Sequence, residues 1–222
     1  MEKNRYKSKS ELVFEEIWER VTHGILKPGD RFSAQEIAEE LGVSRTPVNE
    51  AMKRMSEYGL IRILPNVGYQ VNVLRWRDIE DIMRIECLLE TEGLRLNKNG
   101  FDSALIQELK DINRRTIEAL ERKDRQAYYR LTDEFHVRFI HLSGSRILQD
   151  VFVKNRHYAG WDDGKILEMT ESLKELLRDH DAALDLLLEG RLDEAIENLK
   201  IHSEQSIQLV HQSLKNSKYP GI

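Results

Sequence analysis

The spacing of apolar residues divides the chain into two stretches of different character. In the first, Leu12, Val13, Ile17, Trp18 and Val21 recur at helical intervals, one face of a helix opened by Ser10 and ended by Gly24. A Pro-Gly turn in LKPGDRF leads to a second helix. Ser33 and Glu36 stand at capping-box spacing there, with Ile37, Ala38 and Leu41 inward and Gly42 as the stop. Ser44 caps a third helix, with Pro47 in its first turn, Val48, Ala51, Met52 and Met55 on its inner stripe, and Gly59 closing it. The period then changes. Leu60–Leu64 and Tyr69–Val73, on either side of Pro-Asn-Val-Gly, read as a β-hairpin. Two short helices about a glycine turn, followed by a hairpin, predict a winged helix-turn-helix.

From Asp78 onward every segment has helical periodicity: 78–97, 102–122, 125–143, 146–159, 166–189 and 192–215. The breaks fall at Asn99-Gly100, near Asp124, at Ser143-Gly144, from Gly160 to Gly164, and at Gly190. The predicted fold is mainly α: a winged helix-turn-helix over 1–77, then an all-helical bundle over 78–222.

Composition adds exclusions. No apolar run approaches the roughly 18–20 residues of a membrane span, and the charged start MEKNRYKSKSE is not a signal peptide. A single cysteine, Cys87, rules out an intrachain disulfide, so the chain reads as cytoplasmic. The net charge of -5 is unevenly spread. Residues 1–77 hold 13 Lys and Arg against 11 Asp and Glu, and the remainder holds 21 against 28. That division suits a chain in which only the first part meets phosphates.

The run LKPGDRFSAQEIAEELGVSRTPVNEAMKRMSEYGLI resembles the GntR family of bacterial transcription regulators. The resemblance implies double-stranded DNA as a partner, with the third helix in the major groove and its first residues at the base edges. Ser33, Ser44 and Thr46 then serve phosphates, together with backbone N–H groups at the helix start. Arg45 is placed for a bidentate guanine contact. Asn49 stands where the family usually has arginine; asparagine pairs with adenine, so the operator is expected to differ at that step. Arg31, Lys53, Arg54 and Arg62 are phosphate candidates, and Gly68 allows the wing tip close approach to the minor groove.

In the second part, His180 falls on the stripe of Leu173, Leu176, Leu177, Leu184 and Leu187, and His202 on that of Leu192, Ala195, Ile196, Leu199 and Ser206. Each lies 11 residues from Arg191, so an antiparallel hairpin brings the two imidazoles level. His136 sits on another helix beside Phe135, Phe139 and Ile140, with Asp133 and Thr132 just before it. One histidine on an apolar face is ordinarily a hydrogen-bonded core residue. Three on three helices, with a carboxylate near, suit Zn²⁺, Ni²⁺ or Mn²⁺ with coordination positions left open. His23, His141, His157 and His211 have no such partners; Cys87 reads as a small buried residue, and Trp161-Asp-Asp-Gly as a loop.

The stretches DEFHVRFIHLSGS (133–145), DHDAA (179–183) and DEAIENLKIH (193–202) resemble the FCD effector domain of FadR-type GntR regulators. The resemblance implies a metal held by one Asp and three His, here Asp133, His136, His180 and His202, and an effector pocket bordered by Arg84, Glu86 and Thr132. The chain departs from the pattern at three places. Thr132 occupies the usual Asp position, Ser145 replaces Asn, and Glu86 falls where Arg is common. The function implied is a homodimeric regulator, often a repressor, of a palindromic operator, with an organic or sugar acid as effector and no membrane partner. A regulator that answers to the metal alone is the alternative. A metal-dependent hydrolase is disfavoured because no Glu or further His falls at a general-base position. An acyl-CoA sensor is disfavoured by the polar, histidine-bearing core.

Overall fold

The structure, a computed structural model, describes residues 7–22, 25–97, 99–156, 165–217, 219 and 221. It divides into two compact units, 1–74 and 75–222.

The first unit runs α1 (Lys9–Thr22), β1 (Arg31–Phe32), α2 (Ala34–Leu41), α3 (Arg45–Glu57), β2 (Ile61–Leu64) and β3 (Gly68–Val71). Its core is built from the inward stripes of the helices: Ile17, Val48, Met52, Met55 and Leu60 have no measurable exposure. Ser8, not Ser10, caps α1. Its hydroxyl accepts from the Glu11 N–H, and its own N–H donates to the Glu11 carboxylate. Ser8 and Glu11 satisfy the capping-box spacing, which leaves Ser10 inside the first turn; Gly24 lies outside the described residues. The box at Ser33 and Glu36 forms, and Gly42 ends α2 in the left-handed region at φ 63. Ser44 precedes α3 in an extended conformation, but its hydroxyl makes no capping bond. The front of α3 therefore keeps first-turn N–H groups that no Ser44 side chain occupies.

The sheet has three strands in the order β1-β3-β2. The hairpin pairs Ile61 with Val71 and Leu64 with Gly68, and β1 pairs Arg31 with Gln70 and Phe32 with Tyr69, all antiparallel. β1 was not expected, since two residues are too few to show an alternating pattern. Gly68 matters to this junction in a way its place at the wing did not suggest. Its φ is +131, and a Cβ there would come within 2.6 Å of the Phe32 carbonyl oxygen.

The second unit comprises α4 (Trp76–Leu96), α5 (Ser103–Glu121), α6 (Arg125–Phe139), α7 (Arg146–Arg156), α8 (Thr170–Leu188) and α9 (Leu192–Ser217). Two expected helices are shorter than their periodicity suggested. The segment 125–143 ends as helix at Phe139 and passes into a 3₁₀ turn over Ile140–Ser143. There the Ser143 hydroxyl donates to the Ile140 carbonyl and Gly144 turns left-handed. The segment 166–189 likewise opens with a 3₁₀ turn, Lys165–Glu168, before α8 begins. Buried Asn113 of α5 donates to the Leu177 carbonyl of α8 at 2.6 Å. The Trp76 ring stacks on His211 of α9 at 4.1 Å, and the Trp76 N–H donates to the Gly221 carbonyl at 2.8 Å. Among the described residues no helix is long and apolar enough to cross a membrane.

Gly68→Ala is expected to destabilise the first unit by about 1–3 kcal/mol, combining strained backbone with a clash against a carbonyl that cannot swing away. Urea unfolding followed by circular dichroism measures it; an unchanged midpoint would contradict the close approach.

Candidate functional site

A cavity of about 220 Å³ lies within the second unit, walled by α4, α6, α8 and α9, by Ile166 of the 3₁₀ turn and by Arg156 at the end of α7. Its polar wall holds Glu86, Cys87, Glu90, Thr132, His136, Arg156, His202, Ser203 and Ser206, and its apolar wall includes Ile79, Ile82, Leu173 and Val210. Helix geometry sets the acids: Glu86 and Glu90 are four residues apart on α4 and so share a face. The turn at Gly190 folds α9 back along α8, which brings His180 Nε2 to 3.0 Å from His202 Nε2. His180 is buried and stacks on Phe135 at 4.3 Å, with the His136 ring edge-on at 5.3 Å. His136 Nδ1 lies 2.8 Å from a Glu90 carboxylate oxygen.

Burial governs the protonation of this cluster. It pushes Glu90 up to about 7 and His136 down to about 3, so near neutrality the imidazole is neutral and the carboxyl lies near its midpoint. Burial also holds His180 well below the usual imidazole range, with His202 adding to the effect. Glu86 is raised by burial against the attraction of Arg156. Burial works against the Arg156 charge too, but the Glu86 and Asp133 carboxylates outweigh it and keep the guanidinium protonated. Arg156 donates from Nη1 to Glu86 at 2.9 Å and from Nε to Asp133 at 3.0 Å. Several polar atoms of the cluster lack hydrogen-bond partners: Glu86 Oε1, Thr132 Oγ1, and Nδ1 of both His180 and His202. The Asp179 carboxylate approaches His202 Nδ1 only to 3.9 Å.

In the first unit, Ser44, Arg45, Thr46 and Asn49 form an exposed surface at the start of α3. The Tyr69 hydroxyl of β3 donates to Asn49 Oδ1 at 2.9 Å, fastening the hairpin to this helix. Arg31, Lys53 and Arg62 are exposed. Arg54 is also exposed, with its guanidinium over the Phe14 ring at 4.8 Å.

Residues 9–71 match the family described as bacterial regulatory proteins, gntR family, and residues 81–205 match the FCD domain. The second match alone spans more than half of the chain. The chain belongs to the GntR family, with an FCD domain. It is 33% identical over 127 residues to an HTH-type transcriptional regulator of the TAR-I ttuE-ttuC' intergenic region of Agrobacterium vitis, covering 56% of this chain and 74% of that protein. It is 27% identical to the Escherichia coli regulator McbR over 61% of this chain, which spans only 62% of McbR. Against the E. coli repressor RspR it is 25% identical over 78% of this chain and 71% of the relative. The solved structure of McbR superposes with a TM-score of 0.82 at 23% identity, covering 93% of this chain and 98% of that one. This GntR chain is thus a transcription regulator with a DNA-binding helix-turn-helix and an FCD effector-binding domain.

Against that frame of residues, the cavity of the FCD domain collects Glu86, Thr132, His136 and His202, with His180 in contact behind them. Two other candidates lie elsewhere. Arg84 is exposed and paired with Glu80 and Glu204, because residues two apart on a helix point to different faces. Asp133 is about half exposed and bound by Arg156, outside the cavity wall. The carboxylate beside the histidines is Glu90, overlooked although it lies one helical turn from Glu86. This corrects the expectation that Asp133 is the carboxylate that accompanies them. Cys87 is half-buried and forms part of the cavity wall. His211 stacks on Trp76, whereas His23, His157 and Trp161 lie outside the described residues. Arg156 carried no sequence signal, being 70 residues from Glu86.

Arg156→Met is expected to cost about 3–5 kcal/mol at neutral pH, because it strands buried carboxylates. Carboxylates raised in the folded state bind protons more tightly there than in the unfolded chain. The loss should therefore shrink as pH falls through the raised Glu86 range toward the ordinary 4.5. Denaturant unfolding across that window measures it; a loss independent of pH would contradict the assigned pairing.

Proposed function

We propose that this GntR chain is a homodimeric regulator, a repressor, whose affinity for a palindromic operator is set by a small molecule entering the FCD cavity. The observation that carries this reading is a cavity lined by residues with unpartnered buried polar atoms, in a chain that also has an exposed helix start suited to base contacts. The unit 75–222 is assigned both effector binding and dimerisation. Since coupling is reciprocal, the effector must prefer one arrangement of the two DNA-binding heads over another.

At the DNA, Arg45 reads a guanine. Ser44, Thr46, Arg31, Lys53 and Arg62 hold phosphates, while Ser33 is engaged in its capping box and Arg54 on Phe14. Asn49 reaches the bases with one acceptor lone pair already taken by Tyr69, and Gly68 lets the wing approach the backbone. Arg45→Ala is expected to weaken operator binding by about 1–3 kcal/mol and to relax preference at one base pair. Site selection from random DNA, followed by fluorescence anisotropy on wild type and variant, tests it. A uniform loss across all sequences would make Arg45 a phosphate contact instead.

The histidines fit a divalent transition metal in donor chemistry. Two Nε2 atoms 3.0 Å apart match adjacent ligands on one ion at about 2.0–2.1 Å. His136, held at Nδ1 by Glu90, has the carboxylate support common behind metal-bound imidazoles. Among the described residues no set of three or more His, Cys, Asp or Glu side chains converges in metal-binding geometry, and Asp133 is taken by Arg156. On donor chemistry alone the reading keeps His136, His180 and His202 as ligands, with Glu90 orienting the first, and it requires their rings to close on the ion. A bound ion would supply a Lewis-acid point of attachment for an effector carboxylate. Glu90 is committed to His136, so the chain is read as a sensor and not a hydrolase. Plasma mass spectrometry on untagged protein should find about one ion per chain, lost in His180→Ala. Metal-free protein after reconstitution would leave the cluster a polar wall of the effector cavity.

A further inference from the structure

We propose that Glu86 recognises a protonated amine, so that the effector carries an ammonium group on an apolar body. This rests on the reading of the FCD cavity as an effector site and specifies what that site selects. The Glu86 side chain is only 10% exposed. One of its oxygens accepts from Arg156, and the other, Oε1, is buried on the cavity wall without a partner. A buried, unpartnered carboxylate oxygen calls for a donor, and a charged donor meets it best. Thr132 Oγ1, also buried and unpartnered on this wall, supplies a second acceptor.

The charge balance points the same way. The wall holds two acids, Glu86 and Glu90, and, besides the imidazoles of His136 and His202, one guanidinium, Arg156. The Arg156 guanidinium is already divided between Glu86 and Asp133. A ligand that brought only negative charge to the Glu86 end would face that carboxylate; an ammonium meets it. Burial has raised Glu86 despite its arginine partner, so a cation at Oε1 restores what desolvation removes. Beyond the acids the wall is apolar, with Ile79, Ile82, Met83, Leu173, Leu176 and Val210. The space of about 220 Å³ suits a branched aliphatic body. If the effector also carries a carboxylate, that group belongs at the histidine end, and the molecule resembles an apolar amino acid.

Matched compounds on one skeleton decide the matter: 3-methylbutylamine, leucine and 4-methylpentanoate, titrated by calorimetry into the full-length protein. The amine-bearing compounds are expected to bind at least about tenfold more tightly than the acid lacking nitrogen. In Glu86→Gln that preference is expected to fall below about threefold, since a neutral amide keeps the shape but loses the charge. The wild-type comparison stands without the variant should the variant not fold. Equal or tighter binding of 4-methylpentanoate would overturn the proposal while leaving the effector reading intact, as would an undiminished preference in Glu86→Gln. Failure of both amines to bind at millimolar concentration would overturn it as well. The effector reading itself would fall only if none of the three bound and the cavity-wall variant Leu173→Trp left operator affinity unchanged.

Discussion

The second unit is organised around a buried guanidinium. Arg156, at the end of α7, is 13% exposed, and an arginine that deep must be met by carboxylates or not be there at all. Glu86 and Asp133 meet it directly. Their presence draws α4 and α6 together, and Glu90 then falls on the same face of α4 as Glu86 and within reach of His136. Each polar member of the cluster is thus tolerated because another is present. Removing one leaves a charge or an acceptor without compensation, which is why such a cluster behaves as a unit.

That dependence explains which parts of the architecture sequence could disclose. The level placement of His180 and His202 follows from counting residues to Arg191 on either side of a glycine turn, and the helical hairpin brings their rings together. The Ser33–Glu36 box is equally local and forms as written. Glu90 lies one turn beyond Glu86 on the same helix face, but spacing alone does not show that this face meets His136. Arg156 and Asp133 are another matter. Their partnership joins helices whose order in space is not encoded in any spacing, so Asp133 read as a neighbour of His136 when it faces an arginine instead. β1 escaped notice for a related reason: its two residues become a strand only by pairing with β3.

The first unit has its own long-range tie. Tyr69 on the hairpin holds Asn49 on α3 through a single hydrogen bond, so the wing and the exposed helix are positioned as one piece. Gly68, next to Tyr69, admits the Phe32 carbonyl at a distance no side chain would permit. The hairpin is therefore anchored from two sides, by β1 through the backbone and by α3 through a side chain.

The contact between Trp76 and the Gly221 carbonyl has a practical meaning. It puts the beginning and the last helix's trailing residues of the 75–222 unit side by side, with the indole stacked on His211 as a clasp. A unit whose ends adjoin is one that tolerates being reopened elsewhere: its helices are suited to circular permutation, with a short linker joining the old ends.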